Sequence, residues 1–513
     1  MRTVINIASS YARFIIGMVI VFLLTPYTLN IVGIDQFGLW SLCLSVAGLL
    51  ALLDMGFSTA TVKYVAECNG SHDNEARNQA VSTLFLVYTG LGVICLVLVL
   101  NAIPYGISVF ELDQDEALVF TKVMQISGAA VAVSLPLCVF RSLLIGAGRY
   151  DIVNIAEIIG IILNALLVVF LLNIDLGLTG LAIANASVLL VVPVILAPLA
   201  YRLIPDLKLR IGLFRFHRLR ELVPLSVYFM IANIAMLVIL RSDALIIKGF
   251  MSLSAVAAFA IAARIAEYTY LLNKQFSNAL MPLVSHSVGS GNKDTINAIL
   301  VDGTRLLSGI ATLLIGLLYF HADSIISLWV GDDLQAAVLP LKILLVAVMF
   351  STLQLNAANV LGMSGGHRGV AWTMLGSAIL NILLSLMLIP MWGLIGAAIA
   401  TLAAAMVMEF FLILPRACRH QQISLLRVLR GISPALIASV PMFAAAHILQ
   451  SYWPVESLLQ LCLQGTSAAI VFLVVYLFIG LRGHERKQLV TWFRWLKPAV
   501  QRQQALNEGS SHV

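Results

Sequence analysis

Long apolar runs alternate with short polar segments along nearly the whole chain of 513 residues. Each run has about 20 or more residues, the length that a helix needs to cross a bilayer. The pattern predicts about fourteen membrane-spanning helices. Their approximate positions are 11–33, 39–62, 80–101, 119–146, 151–173, 178–201, 221–248, 253–281, 297–320, 337–362, 369–390, 393–417, 433–450 and 458–481. We therefore predict an all-α, polytopic membrane protein.

The charges of the connecting segments alternate from one side to the other. Segments that follow odd-numbered spans contain no lysine or arginine, and several are acidic: Glu111, Asp113, Asp115, Glu116, Asp332 and Asp333. Segments that follow even-numbered spans contain the cations, and residues 202–220 hold the largest group. Because basic loops remain cytoplasmic, both termini are expected in the cytoplasm, and the protein in a bacterial inner membrane.

The composition supports the membrane assignment and excludes several classes of protein. Hydrophobic residues make up 60% of the chain and charged residues 11%, whereas soluble domains have about 45–50% and about 25%. The net charge of +6 lies in short loops, without the basic face of a nucleic-acid-binding protein. The six cysteines form no C-x-x-C pair, and no Walker, H-E-x-x-H or G-x-S-x-G motif occurs. We therefore expect no cofactor, no metal site and no enzymatic activity.

An internal repeat divides the chain into two similar parts. Residues 162–167 match residues 379–384, and residues 177–184 match residues 393–400, at an offset of about 216. Six spans per repeat give both copies the same direction in the membrane, related by a pseudo-two-fold axis along its normal. The predicted units are a six-helix lobe with a basic linker (1–220), a second six-helix lobe (221–417), and two additional helices with a cytoplasmic tail (418–513).

Several charged residues fall within the predicted spans, where each costs about 2.5–3.5 kcal/mol at mid-bilayer. Arg264, Glu267 and Lys274 recur at positions that share one stripe of the eighth span. The seventh span contains Arg241 and Asp243, and polar faces of the first two spans contain Arg13 and Asp54. The stripe is expected to face the other lobe. The remaining candidates are Arg141, Glu157, Arg305 and Glu409.

These charges predict a basic, water-filled cavity between the lobes that attracts an anionic headgroup such as a pyrophosphate. The expected substrate-binding residues are Arg241, Arg264, Arg13 and Lys274, since arginine binds phosphate oxygens in bidentate fashion. The expected ion-coupling or charge-pairing residues are Asp54, Asp243 and Glu267. The alternative is that such residues pair to lock helices together or extend to the interface. That alternative is favoured for Arg141, Glu157, Arg305 and Glu409.

Motifs in five spans resemble those of a known family of transporters. They are Pro26-Tyr27, residues 33–40 (GIDQFGLW), residues 53–57 (LDMGF), Arg241-Ser242-Asp243, residues 257–264 (AAFAIAAR) and Leu361-Gly362-Met363. The chain resembles the oligosaccharide-repeat-unit flippases of the polysaccharide transporter family, in the multidrug/oligosaccharidyl-lipid/polysaccharide exporter superfamily. The resemblance implies a V-shaped bundle of two lobes. It also implies ion-coupled transport of an undecaprenyl-diphosphate-linked oligosaccharide to the periplasmic leaflet.

Other functions remain open at this point. A multidrug antiporter or a peptidoglycan-precursor flippase of the same superfamily would share the architecture. A membrane polysaccharide polymerase or ligase typically has a large outer loop with arginines, which is not found here. The expected partners are the lipid-linked oligosaccharide, membrane lipid, a proton or sodium ion, and other membrane proteins of polysaccharide assembly.

Overall fold

The first half of the chain folds into seven helices. The computed structural model describes residues 2–480 except 55, 72, 205 and 291. The first seven helices are α1 (Arg2–Val32), α2 (Ile34–Leu49), α3 (Phe57–Ser71), α4 (Asn74–Val109), α5 (Gln114–Gly146), α6 (Tyr150–Asn173) and α7 (Gly177–Leu203). A short 3-10 segment, Leu50–Asp54, follows α2, so the predicted second span is a broken helix.

The second half contains thirteen more helices in the described residues. They are α8 (Phe216–Phe250), α9 (Leu253–Asn278), α10 (Met281–Gly289), α11 (Lys293–Ala298), α12 (Thr304–Phe320), α13 (Ala322–Val330), α14 (Val338–Leu353), α15 (Leu355–Leu361), α16 (His367–Trp392), α17 (Leu394–Ala404), α18 (Leu414–His420), α19 (Leu425–Tyr452) and α20 (Leu458–Ile479). Two π-helical segments, Ile299–Gly303 and Ala405–Ile413, interrupt later spans in the described residues. The segment Gly362–Gly366 forms a kink between the tenth and eleventh predicted spans, where Gly365 has a φ of 93°.

Every predicted span coincides with helix in the described part of the chain. Twelve stretches there are long and apolar enough to cross a membrane. One of them, Asp332–Trp392, is 61 residues long and contains both the tenth and the eleventh predicted spans. The seventh predicted span lies in α8. The prediction of an all-α, polytopic membrane protein is confirmed. Many large apolar side chains on the outer faces are exposed, as lipid contact requires.

The acidic connecting segments are more ordered than the sequence predicts. Residues 102–118 were expected to form a loop, but α4 continues to Val109 and α5 begins at Gln114. Asp113 and Glu116 form a capping box at the start of α5, with Asp113 accepting from the Glu116 amide at 2.8 Å. These carboxylates therefore cap a helix N-terminus. Similarly, α13 occupies much of the predicted loop 321–336.

The apolar interior forms separate cores. One core contains residues of every helix from α2 through α7, together with Leu253 of α9. A second contains residues of α8, α9, α12, α13, α14, α16 and α17, together with Leu29 and Phe37 from the first half. The last two helices pack on α12, where the Tyr476 hydroxyl donates to the Arg305 carbonyl at 2.8 Å. The Arg305 guanidinium in turn donates to the Gly480 carbonyl at 2.7 Å. The domain boundaries and the pseudo-two-fold axis stay predictions, and the tail after residue 480 lies outside the described residues.

Candidate substrate and ion sites

The two halves of the chain approach each other closely along α2. A Cβ atom at Gly38 would lie only 2.0 Å from the Leu253 carbonyl oxygen at the start of α9. Glycine therefore permits backbone contact between the halves at this point. Farther along α2, a Cβ atom at Gly48 would lie 3.0 Å from Nε of Arg241 on α8. The α2 helix thus follows the junction from the start of α9 to the middle of α8.

A second junction joins α1 to α9 and α13. The Tyr11 hydroxyl donates to the Gln275 carbonyl at 3.3 Å, and the rings of Phe22 and Tyr268 are 5.7 Å apart. The Trp329 indole donates to the Phe22 carbonyl at 2.8 Å. Together the two junctions place α9 against α1 and α2 of the first half.

Two guanidinium groups at the α2 junction lie within electrostatic reach of each other, and neither is held by a salt bridge among the described residues. The side chain of Arg241 crosses Gly48, and its Nε is buried with no hydrogen-bond acceptor. Arg264 of α9 is close enough to Arg241 for mutual electrostatic repulsion, and it is also within electrostatic reach of Glu267 and Tyr268. Among the described residues, neither arginine forms a salt bridge. Two neighbouring cations with a single carboxylate, Glu267, within electrostatic reach and no salt bridge provide an attractive position for an anion.

Lys274 extends the same stripe toward the end of α9. It lies ten residues after Arg264, which is about 15 Å along a helix. Its ammonium lies 5.8 Å from the centre of the Tyr270 ring, within the range of a cation–π interaction. Both Glu267 and Lys274 are partly exposed. The structure therefore groups Arg241, Arg264 and Glu267, and it places Lys274 about two to three turns away.

Arg13 is part of an ion-pair cluster in the first half. Its guanidinium lies 3.0 Å from one carboxylate oxygen of Glu157, and Arg141 donates to the other oxygen at 2.7 Å. Glu157 therefore links α1, α5 and α6. The side chains of Arg13 and Arg141 remain 35% and 44% exposed. A role for Arg13 in substrate binding stays a prediction, and such a role would require the substrate to share or replace Glu157.

Asp54 lies near this cluster at the end of the 3-10 segment. The Tyr88 hydroxyl donates to its carboxylate, as does the Ser58 amide at 3.3 Å. Arg141 lies within electrostatic reach. Asp54 is thus a hydrogen-bonded carboxylate inside the first half, beside a cation that already pairs with Glu157.

Asp243 faces the interior of the second half, away from Arg241. Only 5% of the residue is exposed, and its carboxylate accepts hydrogen bonds from Ser385 of α16 at 2.9 Å and Thr401 of α17 at 3.2 Å. Asn381 donates to the Thr401 hydroxyl at 3.1 Å. Asp243 does not share the orientation of Arg241, because residues two apart point about 200° from each other around a helix, and its expected role in ion coupling or charge pairing stays a prediction. The carboxylate instead lies in a pocket of neutral oxygen donors.

The sequence alone did not reveal the hydrogen-bond partners of Asp243 or the buried environment of Glu409. Asn381 and Ser385 are four residues apart, so they share one face of an otherwise apolar span, and that spacing was a usable signal. Glu409 was assigned to helix pairing or to the interface, but it is buried between Gln354 and Ser377. No signal in the local sequence marks that environment. The described residues contain no cluster of three or more histidine, cysteine or carboxylate side chains able to hold a metal.

Comparison with known families extends these observations. The family model described as "Polysaccharide biosynthesis protein" matches residues 3–288, more than half of the chain, and the MatE model matches residues 229–387. The chain belongs to the polysaccharide biosynthesis protein family. This finding confirms the resemblance to the polysaccharide transporters that the motifs of the first, second, seventh and eighth spans indicated.

One curated relative is similar at low sequence identity. A probable flippase, AglR, from Haloferax volcanii is 24% identical over 254 residues, which are 48% of this chain and 52% of that protein. The chain thus matches about half the length of this curated relative.

Solved transporter structures match over most of the chain. The lipid II flippase MurJ, in an inward closed conformation, superposes with a TM-score of 0.70 at 14% identity, over 93% of this chain and 98% of MurJ. An inward-facing multidrug resistance MATE family transporter has a TM-score of 0.67 at 15% identity, over 83% of this chain and 96% of that one. The fold is therefore that of the multidrug/oligosaccharidyl-lipid/polysaccharide exporter superfamily.

Proposed function

We propose that this protein is a flippase that moves undecaprenyl-diphosphate-linked oligosaccharides from the cytoplasmic to the periplasmic leaflet, for the synthesis of a surface polysaccharide. The observation that supports this most is the pair Arg241 and Arg264 at the junction of the two halves. Neither guanidinium has a salt bridge in the described part of the chain, and a diphosphate would supply the missing negative charge. Family membership supports the same class of substrate.

The proposed cycle uses the junction as the moving part. The diphosphate and sugar enter between the halves from the cytoplasm, while the lipid tail remains among the exposed apolar side chains outside. Anion binding relieves the repulsion between the two arginines and so stabilises a conformation in which both contact the headgroup. Rocking of the halves about α1 and α2 then opens the cavity to the periplasm, where the headgroup is released. The protein performs no covalent chemistry in this cycle.

Ion coupling is the second part of the proposal. Asp243 lies among hydroxyl groups of α16 and α17, and in the described part of the chain no cation pairs with it. A buried carboxylate in that setting takes up a proton or a sodium ion to avoid an uncompensated charge. We assign the coupling ion to Asp243, with Asp54 as the corresponding candidate in the first half.

The experiment is leaflet transfer of a lipid-linked oligosaccharide in proteoliposomes. Arg241→Gln and Arg264→Gln should each reduce the rate at least about tenfold, since loss of a charge-assisted hydrogen bond costs about 1.5–3 kcal/mol. Arg149→Gln is the matched control, because Arg149 is occupied by Asp151 at 3.0 Å. Unchanged transport in both junction variants would refute the assignment.

The main alternative is transport of a peptidoglycan precursor. The likeness to MurJ extends over 93% of this chain, whereas the likeness to the multidrug transporter extends over 83%. The same proteoliposomes can be loaded with lipid II. A rate for lipid II that exceeds the rate for the oligosaccharide would favour this alternative.

A further inference from the structure

Glu409 is a buried carboxylate that the proposed transport cycle does not use. It lies in the π-helical segment Ala405–Ile413, between α17 and α18, and only 8% of the residue is exposed. Single π-helical turns within α-helices are rare and occur frequently at functional sites. The segment packs against α14, α16, α17 and α18. The residue is therefore well inside the second half.

The groups around Glu409 are polar, neutral and loosely arranged. The Ser377 hydroxyl lies 3.5 Å from one carboxylate oxygen, and Nε2 of Gln354 lies 3.5 Å from the other. Ser351 supplies a further hydroxyl. Hydrogen bonds to a carboxylate are normally about 2.7–2.9 Å long. Gln354 is 1% exposed, and its Oε1 has no hydrogen-bond partner. The pocket thus contains a charge and a buried acceptor that are both incompletely satisfied.

No cation compensates Glu409 among the described residues. Tyr270 of α9 is the titratable side chain within electrostatic reach. Lys342 of α14 pairs with Asp323 at 2.6 Å, and Arg416, two turns after Glu409, donates to Thr373. The helix α17 has no charged residue. The other titratable side chains on α16 and α18 lie at the ends of those helices: His367, Arg368, Cys418, Arg419 and His420.

We propose that Glu409, Gln354, Ser351 and Ser377 form a second binding site for one monovalent cation, either sodium or a proton, separate from the site at Asp243. The carboxylate, hydroxyl and amide groups of these residues all offer oxygens, the donors that hard cations prefer, and the Ser377 hydroxyl lies 3.5 Å from a carboxylate oxygen of Glu409. A half turn of the Gln354 amide would direct its unpartnered Oε1 toward the carboxylate. That arrangement is repulsive unless a proton or metal cation lies between the two groups.

Tyr270 connects this site to the junction between the halves. Its ring carries the Lys274 ammonium on its face at 5.8 Å, and Glu409 acts electrostatically on its hydroxyl. A change in charge at Glu409 therefore alters the position or orientation of a ring that contacts a predicted substrate-binding cation. This role in transport rests on the proposed function, whereas the binding site itself does not.

The test measures binding to the purified full chain in detergent, with no substrate present. Thermal unfolding is followed against sodium chloride at constant ionic strength with choline chloride, and separately against pH. The variant Asp243→Asn serves as the parent in these measurements. Because it lacks the carboxylate of the first ion site, any stabilisation by sodium or by lower pH that it still shows comes from another site. This variant should still gain at least about 2 °C with sodium, or as the pH falls, through binding to the folded state. Stabilisation by sodium identifies the cation as sodium, and stabilisation at lower pH identifies it as a proton.

Adding Glu409→Gln to the Asp243→Asn background should reduce the response to the part that Asp54 contributes, and adding Glu67→Gln, at an exposed carboxylate, should leave it unchanged. Should the Glu409 variant fail to fold, Ser377→Ala in the same background is expected to weaken sodium binding or shift the pH midpoint. No response in Asp243→Asn, or an equal response with and without the Glu409 and Ser377 changes, would overturn the proposal. Because no transport is measured, this result is independent of the substrate.

Discussion

The contact between Gly38 and Leu253 allows a direct test of how the halves move. In the described conformation a Cβ atom at Gly38 would lie 2.0 Å from the Leu253 carbonyl oxygen, while real Cβ atoms essentially never approach closer than 3.0 Å. The Gly38→Ala change therefore requires the two backbones to separate by at least about 1 Å. Overpacking of this kind costs about 1–3 kcal/mol.

The Gly38→Ala change destabilises only those conformations in which Gly38 contacts Leu253. If the halves separate here during transport, a penalty of about 2 kcal/mol shifts the equilibrium about 30-fold toward the separated state. Paired spin labels report the shift, with cysteine introduced at the exposed residues Asp115 and Asp333 in a background without the native cysteines. We expect a longer mean distance between the labels in Gly38→Ala.

The matched control is Gly90→Ala, since nothing lies within 4 Å of a Cβ atom at that position. Its distance distribution should equal that of the parent. Identical distributions in Gly38→Ala and the parent, together with an unchanged melting temperature, would show that the close approach does not constrain the junction.

Two further predictions concern stability in detergent. Glu157→Gln leaves Arg13 and Arg141 without their shared carboxylate. Because both arginine side chains are more than a third exposed, the free energy of unfolding should fall by less than about 1 kcal/mol. A fall in melting temperature that corresponds to a larger loss would contradict this. Tyr476→Phe removes the buried hydrogen bond to the Arg305 carbonyl and should cost about 1 kcal/mol. The control Tyr452→Phe, at a residue that is 88% exposed, should leave the melting temperature unchanged. Equal melting temperatures for the two variants would argue against a stabilising contact between Tyr476 and Arg305.

The helices were predictable from the sequence because the bilayer imposes a simple rule. A run of apolar residues long enough to cross the membrane satisfies its backbone hydrogen bonds only as a helix, and all fourteen predicted runs fall on helix. Helix ends were less predictable, as the capping box at Asp113 and Glu116 shows. There the same acidic residues that marked the outer side also extended the helix.

The sites were less predictable because the orientation of a side chain depends on tertiary packing. Arg241 and Asp243 are only two residues apart, yet Arg241 faces α2 and Asp243 faces α16 and α17. Similarly, nothing local distinguishes Glu409 from a residue at an interface, since its burial is produced by Gln354 and Ser377 from distant parts of the chain. Periodicity identifies a polar face but not the neighbour that this face contacts.

The central claim is that the unpaired arginines at the junction bind the diphosphate of a lipid-linked substrate. The most direct measurement is the dissociation constant for a polyprenyl diphosphate in lipid nanodiscs, compared between the parent and Arg264→Gln. The account predicts at least about tenfold weaker binding in the variant, which corresponds to about 1.4 kcal/mol. Equal dissociation constants would show that the headgroup binds elsewhere.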